Sequence, residues 1–229
     1  MTNSLIIGGS KGIGYSISKA LIKRGDNLFI ISRKKIKLKN SYSLNLLDEI
    51  SVKKFFKNFS KNKIKIDNLI FSQRYRGDKY EEENQLIIKS TQLIIKILFK
   101  NFKKNTSIVF IGSPASKYIA KQVNLSYHLT RASLNILMKY YAVNLGKYGI
   151  RSNSVMTGTV IKKENKKYFQ ENPKIISELI KKTPLKNIGK SDDIANLVMF
   201  LCSNKSSFIS GQSITVDGGL SAIMHESLL

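Results

Sequence analysis

Directly after an apolar run at residues 5–7, the chain carries Gly8-Gly9-Ser10-Lys11-Gly12-Ile13-Gly14. Leu5-Ile6-Ile7 reads as a short buried strand. Gly8, Gly12 and Gly14 follow a G-x-x-x-G-x-G pattern, and glycine lets a backbone turn tightly with no Cβ in the way. A strand that turns straight into a helix leaves the helix's first amides, and the positive end of its dipole, open at the turn. That arrangement suits a pyrophosphate. Such turns belong to open parallel sheets clothed in helices, with ligands bound at the carboxyl ends of the strands. Gly8, Ser10, Lys11, Gly12, Ile13 and Gly14 are therefore the expected phosphate-loop contacts.

The rest of the chain repeats the alternation. Runs at 5–7, 27–32, 68–71, 107–111, 151–155 and 213–216 read as strands, with amphipathic stretches between most of them. The expected fold is α/β: a doubly wound parallel sheet, a Rossmann fold, as one domain over 1–229 with helices on both faces. Between Asp48 and Phe59, the residues Val52, Phe55, Phe56 and Phe59 recur at helical spacing and mark a core-facing stripe. The least regular stretch, 158–184, is rich in Lys, Glu and Asn around Pro173 and falls after a strand. It is the expected substrate lid.

The formal charge of +24 raises nucleic acid as a partner, but its distribution argues against specific binding. Only six of the 39 basic residues are Arg; the 33 Lys are scattered through helices and loops, with no basic module or aromatic stacking surface. No run approaches the roughly 18 apolar residues of a membrane span, so no membrane partner is expected. The single Cys202, in an apolar helix, reads as a buried structural thiol. With the N-terminus entering a strand within four residues, a cytoplasmic setting is the expectation. No metal-ligand spacing stands out.

The second strand ends in Ser32-Arg33-Lys34. A carboxylate there would accept hydrogen bonds from the ribose hydroxyls of NAD; a small hydroxyl followed by Arg favours the 2′-phosphate of NADP instead. NADP(H) is thus expected over NAD(H). Lys11 is either a second charge for that phosphate or, like Lys34, part of the lysine background.

Taken together, the chain resembles short-chain dehydrogenases/reductases of the compact, single-domain type. Beyond the glycine loop the likeness rests on Gly149-Ile150-Arg151-Ser152-Asn153, Thr183-Pro184-Leu185, Asp193-Ile194-Ala195, Ser210-Gly211-Gln212 and Val216-Asp217-Gly218-Gly219. The resemblance implies hydride transfer between nicotinamide and a small carbonyl or secondary alcohol. It makes Tyr127 the general acid or base and Ser113 the holder of the substrate oxygen. Arg131 stands where the family has Lys. One helical turn from Tyr127, it shares that residue's helix face. A nearby cation favours a phenolate, and a guanidinium fork suits two ribose hydroxyls, but it cannot relay a proton as an ammonium can. His128 points about 100° away around the helix.

The resemblance also assigns cofactor contacts to Asn45, where the family has Asp at the adenine edge, and to Ser72, Gln73, Gly158 and Val160. Other departures fall around the proton relay. Phe71-Ser72-Gln73-Arg74 replaces Asn-Asn-Ala-Gly, and Thr157-Gly158 replaces Pro-Gly. Lys162 replaces a Thr. The helical Asn aligns with Ile87, with Asn84 one turn earlier. Arg74 and Arg76 flank Tyr75 and either meet an anionic substrate or the cofactor phosphates, or pair with Glu81-Glu82-Glu83.

Two functions follow as expectations: an NADP(H)-dependent oxidoreductase acting on a small molecule, or an impaired homologue that binds NADP(H) as a sensor or interaction protein. A homotetramer or homodimer, built through the Tyr127 helix and the C-terminal strand, is implied by the resemblance.

Overall fold

The glycine turn joins strand to helix, β1 (Asn3–Ile7) to α1 (Gly12–Lys23), in the computed structural model, which describes residues 1–224. Seven strands lie in the order β3-β2-β1-β4-β5-β6-β9, all parallel. They are β1, β2 (Asn27–Ser32), β3 (Ser41–Ser43), β4 (Ile66–Phe71), β5 (Phe102–Gly112), β6 (Arg151–Thr157) and β9 (Ser213–Val216). The expected doubly wound sheet is present. Its carboxyl ends are level: Ile7 pairs in register with both Ile31 and Phe71, Phe71 with Phe110, and Gly112 with Met156.

Strands that are apolar on both sides demand cover on both faces. Leu5, Ile7, Phe71 and Phe110 pack on one face against α2 (Glu49–Lys61), α4 (Ser90–Leu98) and α5 (Leu125–Gly146). Ile6, Ile30, Ile70 and Val109 pack on the other against α1 and α8 (Ser191–Leu201). In α2 the phenylalanine stripe is the buried face, and Asp48 caps the helix by accepting from Ser51 N–H at 3.0 Å.

The main sheet holds β3 in addition to the six strands read from the sequence, and the covering elements have features of their own. The stretch 158–184 is not irregular: it holds β7 (Val160–Ile161), α6 (Lys166–Glu171) and α7 (Pro173–Lys182). β7 pairs with β8 (Gly189–Lys190) in a separate two-stranded sheet. Its elements are too short and too polar to show a clear period. The helix before β5 begins as α3 (Tyr80–Asn84), passes through a π-helical segment (Gln85–Lys89) and continues as α4. Such a segment holds i→i+5 bonds and often marks a functional position.

Candidate active site

A cleft of about 1020 Å³ opens at the carboxyl ends of the strands, where an open α/β sheet binds its ligands. Gly8, Ser10, Lys11, Gly12, Ile13 and Gly14 form its floor. Only glycine fits at two of these positions. A Cβ on Gly14 would lie 2.1 Å from the Gly8 carbonyl oxygen, and one on Gly8 (φ +87°) would lie 2.6 Å from the Ser72 backbone. The loop is thus pressed against both its own helix and the end of β4. Gly12 N–H donates to the Glu164 carboxylate at 3.0 Å, so an anionic oxygen already sits on a helix N-terminal amide of the loop.

The same cleft is lined by Ser113, Tyr127 and Arg131. Ser113 follows β5; its Oγ accepts from Ala115 N–H at 3.2 Å, which leaves the hydroxyl proton free to meet a ligand oxygen. Tyr127 and Arg131 lie one turn apart on α5, and the guanidinium carbon is 4.6 Å from the phenol ring centroid. Arg131 is buried, and its Nη2 lies 4.0 Å from the equally buried Glu83 carboxylate of α3. Its Nε has no partner, and neither does the buried Oε1 of Gln73, whose amide nitrogen donates to Thr91 Oγ1 at 2.9 Å. One free donor and one free acceptor on the cleft wall are what a ribose diol can satisfy. The glycine cradle, the anion on its amide and these two orphaned atoms together fit a dinucleotide.

The charge of the cleft is uneven. Lys11, Arg33, Lys34, Arg74, Arg76, Arg131 and Lys162 line it, against Glu164 and Asp217 alone. Asp217 is committed to its own turn, accepting from Gly219 N–H at 3.0 Å and Ser221 N–H at 2.8 Å. At the end of β2, Ser32 Oγ donates to the Lys34 carbonyl at 2.7 Å, and Arg33 and Lys34 face the cleft. Among the described residues no cluster of three His, Cys, Asp or Glu side chains gathers for a metal, and no helix is long and apolar enough to cross a membrane.

Residues 8–221 match the family described as enoyl-(acyl carrier protein) reductase. The chain is similar to an L-rhamnose 1-dehydrogenase (NADP(+)) of Thermoplasma acidophilum, 28% identical over 247 residues that cover 95% of each protein. It is equally similar to a 3-oxoacyl-(acyl-carrier-protein) reductase of Buchnera aphidicola, 28% identical over 242 residues, 95% of this chain and 96% of that one. A solved short chain dehydrogenase family protein from Francisella tularensis superposes with a TM-score of 0.85 at 28% identity, covering 97% of this chain and 100% of that chain.

The chain belongs to the short-chain dehydrogenase/reductase family.

In this short-chain dehydrogenase/reductase the cleft gathers Ser72, Gln73, Arg74, Arg76, Gly158 and Val160 with Ser113, Tyr127 and Arg131. Asn45 is not among its walls. The neighbouring Leu44 and Leu46 face the cleft, while Asn45 is exposed and its Oδ1 accepts from Leu47 N–H at 3.2 Å. This is an Asx-type bond to the backbone two residues on, and it engages the amide oxygen within its own turn.

His128 has a structural task. Its Nε2 accepts from Ala120 N–H and its Nδ1 sits 3.0 Å from the Asn124 carbonyl. These contacts assign the neutral Nδ1–H tautomer and pin the loop before α5.

The expected alternative of Arg74 and Arg76 pairing with the acidic run does not occur. Glu82 accepts from Tyr75 Oη at 2.9 Å and lies 3.5 Å from Lys79, and Glu83 faces Arg131. Glu83, buried at 3% exposure, is the site residue that motif reading missed. A spacing cue, four residues before the buried Ile87, is blurred by the π segment that begins at Gln85. A charge in that position requires a buried partner.

Proposed function

We propose that this protein is an NADP(H)-dependent oxidoreductase that interconverts a small carbonyl compound and a secondary alcohol. The observation that carries it is that Ser113, Tyr127 and Arg131 line the same cleft as a glycine phosphate loop. In the reducing direction the carbonyl carbon gains a hydride and the oxygen gains a proton. NADPH held by the glycine loop, with Arg33 and Lys34 lining the same cleft, would supply the hydride and be oxidised to NADP+. Tyr127 Oη supplies the proton as general acid, and the Ser113 hydroxyl donates to the same oxygen as its charge develops. Arg131 supplies positive charge beside the phenol.

The preference for NADP(H) is supported by Arg33 and Lys34 at the end of β2 with no carboxylate beside them among the cleft residues, and by the NADP(+)-dependent relative. The same reading has Gly8, Ser10, Lys11, Gly12, Ile13, Gly14, Ser32, Ser72, Gln73, Gly158 and Val160 as cofactor contacts, and the segment 158–184 as a cover over the substrate.

The protein works as a homodimer or homotetramer in a reducing, cytoplasmic setting. Ile136, Tyr140 and Val143 form an exposed apolar row at helical spacing on α5, the helix that carries Tyr127. The buried, unpaired Cys202 fits such a compartment.

A specific observation supports a second reading, an NADP(H)-binding sensor without turnover. Arg131 is neutralised by Glu83, and a guanidinium passes no proton onward. Purified protein, NADPH and a panel of carbonyl compounds separate the two. Turnover that Tyr127→Phe lowers by about 100-fold or more establishes the enzyme. NADPH binding without turnover of any compound establishes the sensor. Tighter binding of NADH than NADPH overturns the cofactor assignment.

A further inference from the structure

Arginine is scarce in this chain, and its placement is selective. Arg24 is held by Asp26, and Arg151 is buried with hydrogen bonds to Ser206 and to the carbonyls of Leu201 and Ser203. The other four, Arg33, Arg74, Arg76 and Arg131, all line the cleft. Arg33 stands at the end of β2, and Arg131 is paired with Glu83. Arg74 and Arg76, just past the end of β4, have no carboxylate within ion-pair distance among the described residues.

They are joined by a third cation. Lys162, at the end of β7, is half-buried, and its ammonium is held below the ordinary lysine value first by burial and then by Arg74 and Arg76. Glu164 and Tyr127 act on it in the opposite direction. Arg74, Arg76, Lys162 and Tyr127 all line the same cleft, and Lys162 feels the charges of both arginines and of the phenol. Mutual repulsion of three cations is unfavourable unless an anion joins them. Glu164, the carboxylate that acts on Lys162, has an oxygen engaged by Gly12 N–H.

We propose that the cleft takes an anionic carbonyl substrate, whose carboxylate or phosphate is gripped by Arg74, Arg76 and Lys162 while its carbonyl oxygen meets Tyr127 and Ser113. The proposal rests on the oxidoreductase reading for its carbonyl end and on the cation cluster for its charged end. Guanidinium forks match the paired oxygens of either anion. A charged end held beside the phenol orients a short substrate whose reacting group has few other handles.

The test uses matched series of short keto acids, keto phosphates and their neutral esters or alcohols, assayed with NADPH on the wild type and on Arg74→Leu/Arg76→Leu. The expected result is a kcat/KM at least tenfold higher for an anionic compound than for its neutral partner, with that ratio collapsing toward one in the variant. The two anionic arms tell carboxylate from phosphate. NADPH affinity, read by fluorescence titration, stays within threefold in the variant. Equal kcat/KM for charged and neutral partners overturns the proposal. So does a variant that loses NADPH affinity tenfold or more, because the cluster then serves the cofactor phosphates.

Calorimetric titration of the NADPH-loaded protein with simple carboxylates and phosphate monoesters lacking a carbonyl keeps the two readings apart. Anion binding that disappears in the variant, without turnover of any carbonyl, retains the anion subsite and removes the oxidoreductase reading. Absence of any anion binding and of any charge preference in turnover removes the subsite.

Discussion

Glu83 and Arg131 face each other across the packing of α3 on α5, 4.0 Å apart and each 4% exposed, and the guanidinium carbon lies 4.6 Å from the centroid of the Tyr127 ring. Burying a lone cation is strongly unfavourable, whereas a buried pair replaced as a unit by apolar side chains is often neutral. Glu83→Gln is therefore expected to destabilise the fold by about 3–5 kcal/mol. Glu83→Leu/Arg131→Met should recover most of that loss. Urea unfolding of the two singles and the double checks the coupling; additive effects would show that the pair is not energetically linked.

Glu164 occupies the loop amide that a phosphate oxygen would use, at 3.0 Å from Gly12 N. A dinucleotide must displace this carboxylate, and Glu164→Gln removes its negative charge while keeping its shape. NADPH should bind about three- to tenfold more tightly to the variant, the equivalent of roughly 1 kcal/mol. Fluorescence titration at low and moderate salt reads it, and an unchanged or weaker affinity would show that the contact does not compete with the cofactor.

Gly14 offers a test of the cradle itself. A Cβ there meets backbone rather than a yielding side chain, 2.1 Å from the Gly8 oxygen, so Gly14→Ala must shift the loop. The expected cost is about 1–3 kcal/mol of stability, together with a loss of NADPH affinity larger than any loss of fold. Gly25, with nothing within 4 Å of its Cβ position but φ +89°, is a control for backbone strain alone. Gly25→Ala should leave NADPH affinity unchanged.

What the sequence made legible was whatever a local pattern can carry. The glycine spacing, the apolar runs of the parallel strands and the one-turn offset of Tyr127 and Arg131 each reflect backbone geometry within a few residues. Glu83 was hidden for two reasons. It stands among three consecutive glutamates that read as a solvated charge run, and the π segment that follows alters the register by which α3 and α4 share a face. The direction of Asn45 depended on a side-chain bond to Leu47 N–H, against which a cofactor contact had no local signal. The partners of Arg74 and Arg76 depended on which glutamate faced inward, a tertiary fact.

Cys202 supplies a pH dependence whose sign can be worked out. Burial pushes its thiol up from the ordinary value of 9.0 to about 12, against the smaller opposing influence of Arg24 and Arg151. In the unfolded chain the thiol ionises near 9.0, while the folded protein keeps it protonated to about 12. Below 9.0 both states hold the proton, and this group contributes no slope. Between the two values the unfolded state binds fewer protons than the folded one, so stability falls as pH rises. Cys202→Ala should flatten that part of the profile, at the expense of some packing beside Ser107 and α8. The same protonation keeps the thiol unreactive: maleimide labelling at neutral pH should be slow in the folded protein and become fast only when urea unfolds it. Rapid labelling of folded protein would show that Cys202 is reached without unfolding, and the pH profile of stability would then lose its dependence on this residue.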